Sequence, residues 1–234
     1  MEAKDLPHEG ITIAMTPALR ERSRLYGWLA RLFLAEPTQS DVLSYRSGEG
    51  RRVLEALQDD PALGPGAAAM GQSLDRAAAR GQPAVALAGA YGRLFHGFGG
   101  RRSVPPYQSV HEGDSAATHG AAWRRMRALL DELGLAKPDG VSEPEDHIGI
   151  QLAVMAHLCD GAARAAEDGD GAAWTRAIER QRRFLADHLL AWGPDFCAAC
   201  IANDEDGFYA GAARILAALL VDEQGSAGMP VRPL

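Results

Sequence analysis

The sequence predicts an all-α protein folded as a single globular bundle of about ten helices. Alanine is abundant, whereas the β-branched and aromatic residues that favour strands are sparse; aromatic residues make up 6% of the chain. Apolar residues recur at helical spacing, and no alternating strand of useful length is present. We therefore expect one helical domain over residues 16–222, with flexible tails at residues 1–15 and 223–234.

The first half of the domain, residues 16–97, is expected to hold five helices. The first begins with Thr16 as its N-cap and Pro17 at its first position, and Pro37 ends it. Its inner face consists of Leu25, Trp28, Leu29, Leu32 and Phe33. Breakers at residues 60–61 and 64–66 separate the later segments. The remaining helices of this half are predicted near residues 40–46, 50–58, 67–79 and 83–96.

A long irregular segment rich in Gly and Pro joins the two halves. Residues 97–118 contain Gly97, Gly99, Gly100, Pro105, Pro106 and Gly113. Long loops in compact domains tend to be functional, and we expect a hinge at residues 98–117. The second half, residues 118–222, is predicted to contain helices near residues 119–134, 143–166, 171–191, 195–202 and 207–222.

The segment from Glu143 to Gln151 opens the helix with the most apolar surface. Ser142 or Glu143 is a candidate cap, with Pro144 at the first helical position and Glu145 completing a capping box. Two apolar stripes follow, formed by Ile148, Leu152, Met155 and Cys159 and by Ile150, Val154 and Leu158. A helix that is apolar on most of its circumference is usually central. The ionisable residues at its start are therefore expected to be paired or functional.

Three blocks together resemble the TorD/DmsD/NarJ family of maturation chaperones for molybdenum-containing redox enzymes. They are Tyr91-Gly92-Arg93-Leu94-Phe95, then Val104-Pro105-Pro106-Tyr107-Gln108-Ser109-Val110, then Glu143-Pro144-Glu145-Asp146-His147. Phe208-Tyr209 before an apolar helix is similar to the family's ending. Gln108 stands where an acidic residue is common in the family, and His111 where an aromatic one is common.

The resemblance implies a chaperone that binds the twin-arginine signal peptide and the apo form of a molybdenum-dependent oxidoreductase, assisting cofactor insertion and delaying export. A carboxylate at Asp146 could accept hydrogen bonds from arginine, and an exposed His147 could add a switchable donor. Glu143, Glu145 and Asp146 would form an acidic rim. The implied peptide-binding residues are Pro105, Pro106, Tyr107, Ser109, Glu143, Asp146, His147 and Gln151. From spacing alone, Asp146 and His147 could instead only cap the helix, and Tyr107 could fill a core gap.

Composition excludes several other classes. The formal net charge of −7 disfavours non-specific nucleic-acid binding. The absence of a signal-peptide pattern and of an apolar run long enough to span a bilayer predicts a cytoplasmic protein. Three cysteines do not indicate a secreted disulfide framework. Cys197 and Cys200 lack the second pair that zinc needs, so they are interpreted as small apolar residues on a helix.

The alternative function is an all-α metal-dependent hydrolase with Asp146, His147 and His157 as ligands. We expect a non-catalytic protein without a cofactor or metal, either a monomer or a dimer that swaps elements through the hinge. Nucleophile-elbow and phosphate-loop motifs are absent from the sequence.

Overall fold

A computed structural model describes residues 16–113, 120–137 and 140–226, and these ranges contain eleven α-helices, so the all-α prediction is confirmed. The first five are α1 (Thr16–Leu34), α2 (Gln39–Ser47), α3 (Glu49–Gln58), α4 (Gly64–Ala79) and α5 (Pro83–Phe95). A 3-10 turn (Gly100–Arg102) precedes α6 (Gln108–Glu112), α7 (Ala121–Leu133) and α8 (Ile148–Glu167). The last three are α9 (Gly171–Phe184), α10 (Leu190–Asn203) and α11 (Phe208–Ser226), with a π turn (Leu185–Leu189) between α9 and α10.

Helix α8 lies at the centre and packs along α1 and α9. All seven residues of its two predicted stripes are buried, which confirms the central position. Gly149 permits the close approach of α1, because a Cβ atom at this position would lie 2.9 Å from Leu34 Cβ and 3.0 Å from Ala30 O. On the other side, α4 packs against α11.

An aromatic cluster forms the core beside α1 and α10. The rings of Phe33 and Phe196 meet edge to face with centroids 5.5 Å apart, and Phe95 stacks on Phe196 at 6.2 Å. Tyr91 donates from its hydroxyl to Phe33 O at 2.9 Å, which satisfies the buried phenol. Tyr91 and Phe95 are both buried and belong to this core.

The C-terminal helices differ from the prediction. We expected a break between residues 191 and 195, but α9, the π turn and α10 form one continuous helical rod through Pro194. Proline removes one backbone hydrogen bond, and the burial of Trp192, Phe196 and Cys197 on the same rod offsets this loss. The C-terminal tail was expected to start at residue 223, which is wrong, because α11 continues to Ser226 and buries Glu223 and Gln224. Residues 227–234 of the expected tail lie outside the described residues.

The start of α8 was predicted five residues too early. Residues 143–147 form a turn in which His147 N donates to Pro144 O at 3.0 Å, and the helix begins at Ile148 with His147 as its N-cap. Ser142 and Glu143 therefore do not cap it. The predicted tail at residues 1–15 and residues 114–117 of the predicted hinge lie outside the described residues.

Among the helices of the described residues, none combines the length and the apolar character that a membrane span requires.

Candidate functional site

The proline loop, defined as residues 104–112, lies against the turn that precedes α8. Tyr107 and His147 form an isolated antiparallel β-bridge. Gln108 N donates to Asp146 O at 3.1 Å, and Ile148 N donates to Pro106 O at 2.8 Å. The second and third sequence blocks therefore meet in space through backbone hydrogen bonds.

Asp146 is fully buried at this junction and holds the start of α6. Its Oδ2 accepts from Ser109 N at 2.8 Å and from Ser109 Oγ at 2.5 Å. Its Oδ1 is also buried and has no hydrogen-bond donor among the described residues. Carboxylates that accept hydrogen bonds from backbone N–H groups are strongly held, so Asp146 fixes the proline loop to α8 while one of its oxygens stays unsatisfied.

His147 caps α8 and is buried, with 1% of its surface exposed. Its Nδ1 accepts from Gly149 N at 3.0 Å, so Nε2 carries the proton in the neutral ring. Burial, with a smaller contribution from the nearby His96, lowers the pKa of His147 to about 3. The expectation of an exposed, switchable histidine is wrong, because the bridge to Tyr107 covers the ring.

Glu143 and Glu145 form the half-buried part of the predicted acidic rim. Tyr107 donates from its hydroxyl to Glu143 Oε2 at 2.5 Å, and burial together with this bond raises the pKa of Tyr107. Glu145 accepts from the Trp123 indole N–H and lies 3.7 Å from Lys137 Nζ. Burial alone would raise the pKa of Glu145, but hydrogen bonds from its own backbone and from Trp123, together with Lys137, lower it overall.

A buried hydrogen-bond network centred on Gln108 was not predicted. Gln108 Oε1 accepts from Gln151 Nε2 at 2.6 Å and lies 3.0 Å from His188 Nδ1. Gln108 Nε2 donates to Asp187 O at 3.0 Å, and Trp192 Nε1 donates to Gln151 Oε1 at 3.0 Å. An amide both donates and accepts here, whereas a carboxylate could not donate to the Asp187 carbonyl.

His111 has a structural role in the same loop. Its ring lies 4.9 Å from that of Trp192, and its Nε2 is 2.9 Å from Pro105 O. An imidazole here supplies both the ring contact of an aromatic residue and one polar contact to the loop.

A cleft of about 670 Å³ lies between α7 and α9, and its floor reaches the Gln108 network. Leu129, Phe184 and His188 contribute to its lining, and four arginines, Arg125, Arg176, Arg180 and Arg183, alternate with Glu132, Glu179 and Asp187. Arg180 and Glu132 approach to 3.5 Å across it. The cleft therefore combines an apolar floor with a lining of mixed charge, in which arginines exceed carboxylates by one.

The predicted site residues therefore converge, but unequally. Ser109, Asp146, His147 and Gln151 are buried, whereas Pro105, Tyr107 and Glu143 keep partial exposure.

The hydrolase alternative is not supported. His157 is exposed and lies nearly three helical turns beyond His147, about 15 Å along the helix axis. No group of three metal-ligating side chains occurs in the described residues. Cys197 and Cys200 are fully buried free thiols within α10, as small apolar residues would be.

Comparisons with known proteins identify relatives along most of the chain. The profile of the family described as "Nitrate reductase delta subunit" matches residues 60–198. The chain is 33% identical over 204 residues to "Chaperone protein TorD" of Vibrio cholerae serotype O1, covering 87% of this chain and 90% of that protein. It is 32% identical over 199 residues to "Chaperone protein TorD" of Aeromonas salmonicida, covering 85% and 87%.

A solved structure shares the fold. A crystal structure described as a redox enzyme maturation protein from Archaeoglobus fulgidus superposes with a TM-score of 0.52 and 21% sequence identity. The superposition covers 85% of this chain and 93% of the other. At this level of identity the likeness concerns the helical architecture alone.

Proposed function

This chain belongs to the family of nitrate reductase delta subunits and TorD chaperones, and we propose that it is a cytoplasmic, non-catalytic chaperone for a molybdenum-dependent oxidoreductase. Its partner is the enzyme precursor, bound through a twin-arginine signal peptide and through the apo catalytic subunit. Binding assists cofactor insertion and delays export until maturation is complete.

The observation that carries the proposal is the convergence of the proline loop with the acidic turn before α8. Tyr107 and Glu143 lie at its partly exposed surface, and their direct hydrogen bond joins an aromatic ring to a carboxylate. Arginine suits such a surface, because its guanidinium stacks on aromatic rings and binds carboxylates through paired hydrogen bonds. We assign the peptide's arginines to this surface, with Pro105, Pro106, Tyr107, Ser109, Glu143, Asp146, His147 and Gln151 as the residues that form or support it.

The apolar segment of the peptide is assigned to the cleft between α7 and α9. Its floor includes Phe184 and His188, and His188 contacts Gln108 of the proline loop, so the cleft and the acidic surface share one network. The carboxylates of the cleft lining are matched by arginines, so the lining offers little attraction for the peptide's arginines, whereas the acidic rim attracts them. This polarity fixes one direction for the bound peptide. Burial of apolar area supplies most of the affinity, at roughly 25 cal/mol per Å² before ordering costs.

The experiment is calorimetric titration of a twin-arginine peptide against wild type and the Glu143→Gln, Glu145→Gln double variant. Each substitution keeps the shape and removes one charge. We expect about tenfold weaker binding at low salt, because two negative charges are removed from the partly exposed surface that faces the arginines, and a smaller difference at high salt.

The matched control is a Glu49→Gln, Glu55→Gln double variant on α3, which changes the net charge equally at exposed positions. It should bind like wild type. Equal affinity of all three proteins would refute the acidic surface as the arginine site, and no binding to wild type would refute the proposed function itself.

A further inference from the structure

We infer that the proline loop is a latch whose two hydroxyl groups occupy the carboxylates that the client's two arginines require. The inference rests on the proposed function and deepens it, because it states how the same site is regulated. In the closed latch, the Tyr107 hydroxyl covers Glu143, and the Ser109 hydroxyl covers Asp146. The peptide therefore binds in competition with the protein's own loop.

Ser109 supplies Asp146 with two donors, as many as an arginine would bring, although both meet a single oxygen. Ser109 presents two donors, its backbone N–H at 2.8 Å and its hydroxyl at 2.5 Å, and both converge on Oδ2. A guanidinium likewise presents paired donors to a carboxylate. Because the side chain of Asp146 is entirely buried, an external arginine cannot reach it while Ser109 remains in place.

The second oxygen of Asp146 indicates that the closed state is not fully satisfied. Asp146 Oδ1 is buried and accepts no hydrogen bond within the described ranges. A buried acceptor without a donor is costly, so the closed latch is less stable than one with two satisfied oxygens. A guanidinium that displaced Ser109 could bind both oxygens at once, which gives the peptide an advantage over the loop.

Opening of the latch can be local, because both ends of the proline loop have separate anchors. Val104 N donates to Leu94 O at 2.6 Å at the start of the loop, and Glu112 accepts from Arg125 at 2.7 Å at its end. Between these anchors, residues 106–109 are held to the acidic turn by two backbone hydrogen bonds, by the Ser109 N–H and by the two hydroxyls. The Gln108 side chain is held separately by Gln151 and Asp187.

The test compares binding of a twin-arginine peptide to wild type, Ser109→Ala and Ser103→Ala. Ser109→Ala removes one charge-assisted hydrogen bond from the closed latch only, and we expect about tenfold tighter binding. Ser103→Ala is the matched control: Ser103 lies just before the loop, its hydroxyl donates to Arg93 O at 3.2 Å, and its loss should leave the affinity unchanged.

A second measurement uses wild type alone, so it stands even if Ser109→Ala fails to fold. Amide hydrogen exchange of residues 107–110 should become faster when the peptide binds, because the latch opens. Slower or unchanged exchange there would overturn the latch, as would equal affinities of wild type and Ser109→Ala for a peptide that does bind. Absence of binding to both proteins would instead refute the proposed function, and the latch with it.

Discussion

Replacement of His147 by asparagine should reduce the acid sensitivity of the fold. Asparagine is among the best N-cap residues, and its side-chain oxygen can accept from Gly149 N as Nδ1 does in the wild type. It does not titrate, whereas burial lowers the pKa of His147 from 6.5 to about 3. The substitution therefore keeps the cap and removes the titration.

The direction and the size of this change in stability with pH follow from the pKa of His147 in the folded and unfolded chains. Below pH 6.5 the imidazole of His147 binds a proton in the unfolded chain, whereas in the folded chain it stays neutral until about pH 3. The free energy of unfolding therefore falls as the pH drops through this window. Between pH 6.5 and pH 4, an interval of about 2.5 pH units, the free energy of unfolding falls by about 1.4 kcal/mol per pH unit, or roughly 3 kcal/mol in all.

The assay is urea denaturation followed by circular dichroism at pH 7, 5.5 and 4. The buried His188, whose pKa is lowered to about 4, acts in the same direction, and Glu223, whose pKa is raised by burial, acts in the opposite one. Both groups are present in the two proteins, so the difference in pH dependence isolates His147. We expect His147→Asn to lose about 3 kcal/mol less than wild type by pH 4. Parallel stability profiles would refute the buried, neutral histidine.

Three further predictions concern packing and burial. Gly149→Ala should lower the free energy of unfolding by about 1–3 kcal/mol, because its methyl group would force α1 away from α8. Gln151→Ala should lower the free energy of unfolding by about 3 kcal/mol, because the buried Trp192 indole N–H and Gln108 Oε1 each lose a hydrogen-bond partner. Urea denaturation measures both variants. The thiols of Cys197 and Cys200, whose pKa values burial raises, should resist a thiol reagent in the folded protein and react in guanidinium chloride.

Matched controls accompany these predictions. Gly161→Ala lies on the same helix with open space at its Cβ position, and it should raise stability by up to about 1 kcal/mol. Gln72→Ala removes an exposed amide and should change stability by less than about 0.5 kcal/mol. Equal losses of stability for Gly149→Ala and Gly161→Ala would contradict the close contact between α1 and α8. Equal losses for Gln151→Ala and Gln72→Ala would contradict the buried network. Rapid labelling of Cys197 and Cys200 in the folded protein would contradict the burial of these thiols.

The sequence was informative wherever the decisive signals were local. Helix α1 begins within one residue of the predicted start, although Thr16 is its first residue and the Thr16 hydroxyl makes no capping hydrogen bond among the described residues. The spacing of Ile148, Leu152 and Met155 correctly identified the buried faces of α8. Local capping preferences failed at Pro144, because residues 146–148 pair with the proline loop instead of continuing the helix. That competing interaction joins positions about 40 residues apart along the chain, and no local pattern reports it.

The environment of the candidate site was also beyond sequence reasoning. A charged residue at a helix start is usually solvated, yet Asp146 is buried because Ser109 supplies donors from a distant segment. In the sequence, Gln108 is distinguished only by its departure from the family pattern. Its partners lie on two other elements: Gln151 on α8, and Asp187 and His188 on the π turn. The continuity of α9 with α10 through Pro194 depends on burial, which outweighs the local preference of proline for a helix end.

The most direct test of the account is the binding footprint of a twin-arginine peptide, measured residue by residue through backbone chemical shifts. We expect the perturbed amides to lie in residues 104–112 and 143–151 and to continue along the cleft beside Leu129 and Phe184. A footprint confined to other surfaces, such as α2 and α3, would contradict the convergence of the proline loop and the acidic turn as the peptide-binding site.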